Sequence, residues 1–238
     1  MINEKIRIYC LPYAGGSATI YNKWKKYTSE NIKLIPVELA GRGRRFNEKS
    51  YENIEESVND IFSKIRNELE ESKYALFGHS MGSFLIYKLY QKILSEKLPL
   101  PIHMFFSGRY APNRSDNKRP YHKLSDEDLK IEIKKIGGTP DEIFENHELW
   151  DVFGKILRED YRILDNHSFC KEIEKVNCNI SVLTGNKDIL VKDYDLNEWR
   201  NFTYGDFNLY TFDGGHFFIN IEYSEIILLI NHILKKYI

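Results

Sequence analysis

Gly78-His79-Ser80-Met81-Gly82 forms a G-x-S-x-G segment between an apolar, strand-like run, Tyr74 to Phe77, and a helix-like run from Ser83 onward. That setting suits a serine nucleophile. A strand turning sharply into a helix crowds its neighbours, and the missing Cβ at Gly78 and Gly82 lets the backbone pass close while Ser80 projects its hydroxyl. A serine hydroxyl is a poor nucleophile at neutral pH. The chemistry therefore requires a histidine base and a carboxylate to orient it, in the chain order Ser, Asp or Glu, His.

Seven histidines are available. His79 lies inside the elbow and cannot fold back onto its neighbour, and His103 sits at the start of the next strand. His122, His147 and His167 fall in or beside a charged insertion, and His232 is on the final helix. His216 follows the last strand-like run, where Gly214 and Gly215 release a loop and Phe217 and Phe218 can seat the ring; it is the expected base. The expected acid is Asp188, after Thr184-Gly185-Asn186-Lys187 at the end of the preceding strand. The other position such sites use, Gly108 to Ser115, carries no carboxylate. Asp193 and Asp195 share the loop of Asp188 and remain alternatives, while Asp213 reads as a turn residue before Gly214. An oxyanion hole needs two backbone N–H groups. Met81, next after the nucleophile, supplies one. The loop Leu11-Pro12-Tyr13-Ala14-Gly15-Gly16-Ser17-Ala18 supplies the other, from Ala14, with the adjacent Gly15 as the alternative.

These residues need a scaffold. Apolar, β-branched or aromatic runs at Ile6 to Tyr13, Ile32 to Leu39, Lys73 to Phe77, Ile102 to Ser107, Ile180 to Thr184 and Phe207 to Phe212 read as strands. Between them, Ile54, Val58, Ile61, Phe62, Ile65 and Leu69 share one face of a helix, and Ser224 to Tyr237 reads as the last helix. This alternation predicts an α/β fold, a mostly parallel sheet with helices on both faces. It lapses over residues 114–170, where 23 of 57 residues are charged against 29% of the whole chain. That stretch predicts a helical insertion, with one helix from Ser125 to Ile136 and a second from Asp141 to about Asp165. It reads either as a surface excursion with solvated charges or as a lid, because an insertion after a strand's C-terminal end sits where open α/β sheets bind ligands.

With 238 residues, 42% of them apolar, the chain fits one domain over residues 1–238. Its 34 basic and 35 acidic side chains leave a net charge of −1, which argues against a general grip on nucleic acid or an anionic membrane. The longest aliphatic run near either end, Ile226 to Ile230, is far below the roughly 18 residues of a spanning helix. The start lacks the apolar core of a signal peptide, and Cys10, Cys170 and Cys178 form no C-x-x-C pair. A cytoplasmic monomer with no metal is expected. Arg42-Gly43-Arg44-Arg45 reads either as a contact for an anionic partner or as a solvated basic loop. It is no dinucleotide motif, because Phe46 stands where a third glycine is needed.

Several segments together resemble one family, the type II or editing thioesterases of nonribosomal peptide and polyketide synthesis, within the α/β-hydrolase superfamily. They are Leu11-Pro12-Tyr13-Ala14-Gly15-Gly16-Ser17 with Tyr21 and Trp24, Gly41-Arg42-Gly43-Arg44-Arg45, Gly78 to Gly82, Gly185-Asn186-Lys187-Asp188 and Gly215-His216-Phe217-Phe218. The insertion also resembles the family's lid, in its Gly137-Gly138-Thr139-Pro140 turn and Arg158-Glu159-Asp160-Tyr161 stretch. Ala40 departs from the family, which usually has proline there. The resemblance implies an α/β-hydrolase fold and hydrolysis of acyl groups from the phosphopantetheine arm of acyl- or peptidyl-carrier protein domains, clearing misprimed or stalled chains. Ser80 would attack, His216 would act as base and Asp188 would orient it. The enzyme would need no cofactor, because the phosphopantetheine belongs to the carrier. Lys118-Arg119-Pro120-Tyr121-His122-Lys123 is a candidate patch for carrier contact. A small-molecule carboxylesterase or lipase on the same fold, and a binding protein that retains the fold without turnover, are the rival readings.

Overall fold

Successive side chains of a strand point to opposite faces of a sheet, and because both faces are covered here the central strands are short, largely apolar runs. The strands are β1 Ile6–Leu11, β2 Ile32–Pro36, β3 Tyr74–His79, β4 His103–Ser107, β5 Asn179–Gly185 and β6 Phe207–Phe212. The computed structural model describes residues 5–114, 120–166 and 173–238. All five strand pairings are parallel, and the sheet order is β2-β1-β3-β4-β5-β6. Tyr9, Leu11 and Leu76 face one side, where α1 Ile54–Ile65 and α2 Met81–Ser95 pack. Ile8, Cys10, Ala75 and Phe77 face the other, against Tyr21 and Trp24 of the 3₁₀ segment Ala18–Lys26 and against α6 Tyr223–Lys235.

This order decides where a ligand can sit. From β1 the chain crosses to β2 on one side and then returns to β3 on the other, so the loops leaving β1 and β3 diverge and open a crevice beyond the strands' C-terminal ends. The loop after β1 carries Ala14, and the loop after β3 carries Ser80.

Several element ends differ from the sequence reading. β1 stops at Leu11, before Pro12, because proline has no N–H to extend a ladder. β2 stops at Pro36 rather than Leu39. The helix beginning at Ile54 is α-helical only to Ile65, and a 3₁₀ turn, Arg66–Glu68, brings Leu69 into the core. In the insertion, α3 Asp126–Ile136 starts as expected, with Ser125 Oγ accepting the Asp128 N–H. The second stretch is not one helix. It divides into α4 Asp141–Glu145 and α5 His147–Asp165, because Asn146 takes an extended backbone and its side chain accepts the Leu149 N–H to start a new helix. The insertion has its own apolar cluster, in which Leu129, Ile133, Phe144, Trp150 and Leu157 pack together against Ala14 and Phe217.

Candidate active site

Ser80 occupies a backbone conformation that side-chain-bearing residues rarely adopt, φ 53° and ψ −111°. Such strain persists only where surroundings over-determine it. Here the Ser80 N–H is bonded to Ser107 O at 2.7 Å, and the buried Ser83 hydroxyl sits between Gly78 O (2.7 Å) and the Ser107 N–H (2.9 Å). The flanking glycines are dictated by close approach. A Cβ on Gly82 would lie 2.3 Å from Leu11 O, and one on Gly78 would lie 2.2 Å from the Gly82 carbonyl carbon. β1, β3 and the start of α2 thus meet at van der Waals limits around the serine.

Asp188 and His216 arrive from neighbouring strands, β5 and β6, and are paired. Asp188 Oδ2 lies 2.8 Å from His216 Nδ1, and the two side chains are 0% and 3% exposed. The other carboxylate oxygen accepts the Leu190 N–H at 2.9 Å, which holds the acid in its loop. With Nδ1 donating to the carboxylate, a neutral imidazole presents Nε2 as its acceptor. His216 and Ser80 line the same cavity, about 300 Å³ in volume. The rival carboxylates are elsewhere. Asp193 is exposed, Asp195 is exposed and accepts the Asn197 N–H at 2.9 Å, and Asp213 is exposed and pairs with Lys187 at 2.9 Å.

Of the two N–H groups considered in the β1 loop, that of Gly15 is already used. It donates to Asp160 Oδ2 at 2.7 Å, while the Gly16 N–H closes a turn onto Tyr13 O at 2.9 Å. No acceptor is found for the Ala14 N–H among the described residues, and Ala14 lines the cavity. Met81 is the first residue of α2, so its N–H has no intrahelical acceptor. Much of the remaining wall is apolar and comes from the insertion, Ile133, Ile136, Ile143, Phe153 and Leu157, while Ser17, Thr19 and Thr139 add hydroxyl groups. A wider groove of about 1050 Å³ runs between the 41–53 loop and α5, but neither Ser80 nor His216 borders it.

His79 is a supporting residue that the sequence reading set aside. Its Nδ1 lies 2.8 Å from Ser107 Oγ, and its ring packs against Phe218 and His216. Burial, followed by the nearby His216, pushes the His79 imidazole well below its ordinary value and keeps it neutral.

Arg42-Gly43-Arg44-Arg45 is neither a partner contact nor a solvated loop, apart from exposed Arg44. Arg42 is buried and forms a two-pronged ion pair with Asp160 of α5, at 2.5 and 2.6 Å. Arg45 is also buried, bonded to Glu38 O at 2.9 Å and to Asp60 at 2.7 Å. No spacing in the sequence links residues 42 and 160, which are 118 positions apart. In the patch proposed for carrier contact, His122 is engaged by Asp165 at 2.6 Å. Lys118 and Arg119 of that patch, and Cys170 and His167, lie outside the described residues. Among the described residues no cluster of His, Cys, Asp and Glu is arranged to hold a metal ion, and no helix is long and apolar enough to cross a membrane.

Comparison with known proteins places this geometry. The sequence pattern of the Thioesterase domain family matches residues 6–236. The gramicidin S biosynthesis protein GrsT of Aneurinibacillus migulanus is 30% identical over 94% of this chain and 86% of its own length. The medium-chain S-acyl fatty acid synthase thioesterase of Anas platyrhynchos is 32% identical, over 98% of this chain and 92% of its own. Among solved structures, ClbQ from the colibactin NRPS/PKS pathway superposes with a TM-score of 0.91 at 33% identity, covering 98% of each chain. The type II thioesterase BorB from the borrelidin biosynthetic cluster gives 0.85 at 33% identity, over 96% of this chain and 92% of that one.

Proposed function

Because the chain belongs to the thioesterase domain family, we propose that it is a serine thioesterase that releases acyl groups from the phosphopantetheine arm of acyl- or peptidyl-carrier proteins. The observation that carries this reading is the buried Asp188–His216 hydrogen bond at 2.8 Å beside the strained Ser80 elbow. Ser80 Oγ attacks the thioester carbonyl as His216 Nε2 takes its proton. Asp188 holds the ring in the tautomer that leaves Nε2 free to accept, and it stabilises the imidazolium that forms. The carbonyl oxygen gains negative charge and takes hydrogen bonds from the Met81 and Ala14 N–H groups. The C–S bond then breaks, and the thiol departs with the proton from His216, leaving an acyl ester on Ser80. Water, deprotonated by His216, attacks that ester and releases the free acid and the serine.

The enzyme brings no cofactor to this reaction, since the pantetheine thiol belongs to the carrier. Relatives named for gramicidin S biosynthesis and for a colibactin NRPS/PKS pathway support a setting in which stalled or misprimed carriers are cleared. A cytoplasmic monomer, with the insertion acting as a lid, completes the reading. The test pairs two substrates bearing one acyl group, a carrier-bound thioester and a short soluble thioester. The reacting bond is the same in both, so a higher kcat/KM for the carrier reports binding of remote parts of the substrate. A tenfold preference corresponds to about 1.4 kcal/mol, within reach of a small transient interface. Equal values at low salt, or undiminished turnover by Ser80→Ala, would overturn the reading.

A further inference from the structure

The Tyr13–Gly16 turn is held from outside by one ion pair. Gly15, at φ 76°, occupies the third position of this turn, where a type II geometry requires a positive φ. Asp160 Oδ2 accepts the Gly15 N–H at 2.7 Å and an Arg42 N–H at 2.5 Å, and Asp160 Oδ1 accepts a second Arg42 N–H at 2.6 Å. Arg42 also donates to Gly16 O at 3.3 Å. Both flanks of the turn are therefore gripped by groups that belong to neither β1 nor β3. Because each peptide unit is planar, fixing the Gly15 N–H fixes the Ala14 carbonyl, and the Tyr13 carbonyl, held by the Gly16 N–H at 2.9 Å, fixes the plane of the Ala14 N–H.

We propose that Asp160, braced by Arg42, is a positioning residue that aims the Ala14 N–H at the developing oxyanion and ties that aim to the seat of the lid helix α5. This inference rests on the serine-thioesterase reading above. Two physical features carry it. Asp160 occupies the Gly15 N–H, so the turn offers the neighbouring Ala14 N–H to the cavity. A bare carboxylate one residue from that donor would oppose negative charge on the substrate oxygen, and the bidentate guanidinium offsets it. Both partners are only 3% exposed, so water does not take over either role. Asp160 lies on α5, whose Phe153 ring would be 3.0 Å from a Cβ on Gly15. A displacement of α5 would release the turn, and the second oxyanion donor is complete only with the lid helix seated.

The experiment compares the wild type with Asp160→Asn, Asp160→Glu and Arg42→Lys, using a soluble acyl thioester. Two inhibitors of matched acyl chain accompany it: a trifluoromethyl ketone, which adds to the serine as an ionised hemiketal, and the corresponding amide, which binds uncharged. Loss of one oxyanion donor costs about 10²–10³-fold in kcat, so misaiming one should cost about 10- to 100-fold in Asp160→Asn. KM should stay within about threefold, and ketone affinity should fall by the same factor as kcat/KM while amide affinity holds. Arg42→Lys should move in the same direction by less, since an ammonium keeps the charge but loses the fork. Asp160→Glu keeps the ion pair and folding if Asp160→Asn does not fold, and it should still show the ketone-selective loss because its oxygen is displaced by one methylene. Equal loss of ketone and amide affinity, or kcat within twofold of wild type in the folded Asp160 variants, would overturn the positioning role alone. A wild type that the ketone does not inhibit, or a fully active Ser80→Ala, would instead overturn the serine reading and this inference with it.

Discussion

The imidazole rings of His216 and His79 lie against each other, with centroids 5.0 Å apart and planes tilted by 43°. The two rings have different electrostatic tasks. In the proposed mechanism His216 accepts a proton, and a second charged ring against it would oppose that step. His79 is kept neutral by burial and by His216 itself, and its bond to Ser107 Oγ fixes its plane, so it supports the base as a wall rather than as a charge. His79→Ala should therefore reduce kcat by about 10- to 100-fold, the scale of a misplaced reacting group. His216→Ala should lose about 10⁴-fold or more. A His79→Ala enzyme with wild-type kcat, measured by thioester hydrolysis, would remove the supporting role.

Replacing the acid by its amide isolates its electrostatic part. Asp188→Asn should lower turnover by about 10⁴-fold, because an amide can donate to Nδ1 and hold the wrong tautomer. Asp193→Asn and Asp195→Asn should remain near wild type, because both carboxylates are exposed and Asp195 is occupied with the Asn197 N–H. A collapse in either of those, with Asp188→Asn active, would relocate the acid.

Two adjacent arginines should behave in opposite ways. Arg45 ties Glu38 O, Asp60 and Glu48 together from a buried position, so Arg45→Ala takes the donor from a buried carbonyl and leaves Asp60 only the Tyr51 hydroxyl and Lys64. Because Asp60 and Glu48 are partly solvated, the expected loss is about 2 kcal/mol of folding stability, below the range for a fully buried pair. Arg44 is exposed, and Arg44→Ala should stay within about 0.5 kcal/mol. Urea midpoints for the two variants provide the comparison. Equal midpoints would mean that the Arg45 network contributes nothing net.

Acid should destabilise the fold through another buried histidine. His103, bonded to Ser181 Oγ at 2.9 Å, is pushed down by burial to about 3. The unfolded chain binds a proton there below about pH 6.5 and the folded chain does not until about pH 3, so the unfolded state binds more protons across that window. The stability contribution is thus complete above pH 6.5 and declines as pH falls toward 3, by about 2 kcal/mol at pH 5. His103→Gln cannot titrate, and between pH 7 and 5 its urea midpoint should fall less than that of the wild type. Parallel falls would show that His103 does not contribute.

The strained elbow at Ser80 was legible in the sequence for a local reason. G-x-S-x-G is a local solution to a local steric problem, as the 2.2 and 2.3 Å approaches at Gly78 and Gly82 bear out, and short, largely apolar runs mark the central strands because both faces of the sheet are covered. Element ends were less legible, because Asn146 capping its own helix and Pro12 ending β1 compete with the hydrophobic period that the eye follows. Three things depended on the assembled molecule. The choice among Asp188, Asp193 and Asp195 turned on which carboxylate reaches His216 from the next strand. Which N–H of the β1 loop is already bonded turned on Asp160, a residue 145 positions from Gly15 that takes the Gly15 N–H. The basic segment at Arg42 looked like a surface feature because its partner is on a distant helix. A hydrogen bond or ion pair across such separations leaves no periodic trace in the chain, and only the packing of α5 against the β1 and β2 loops brings its two ends together.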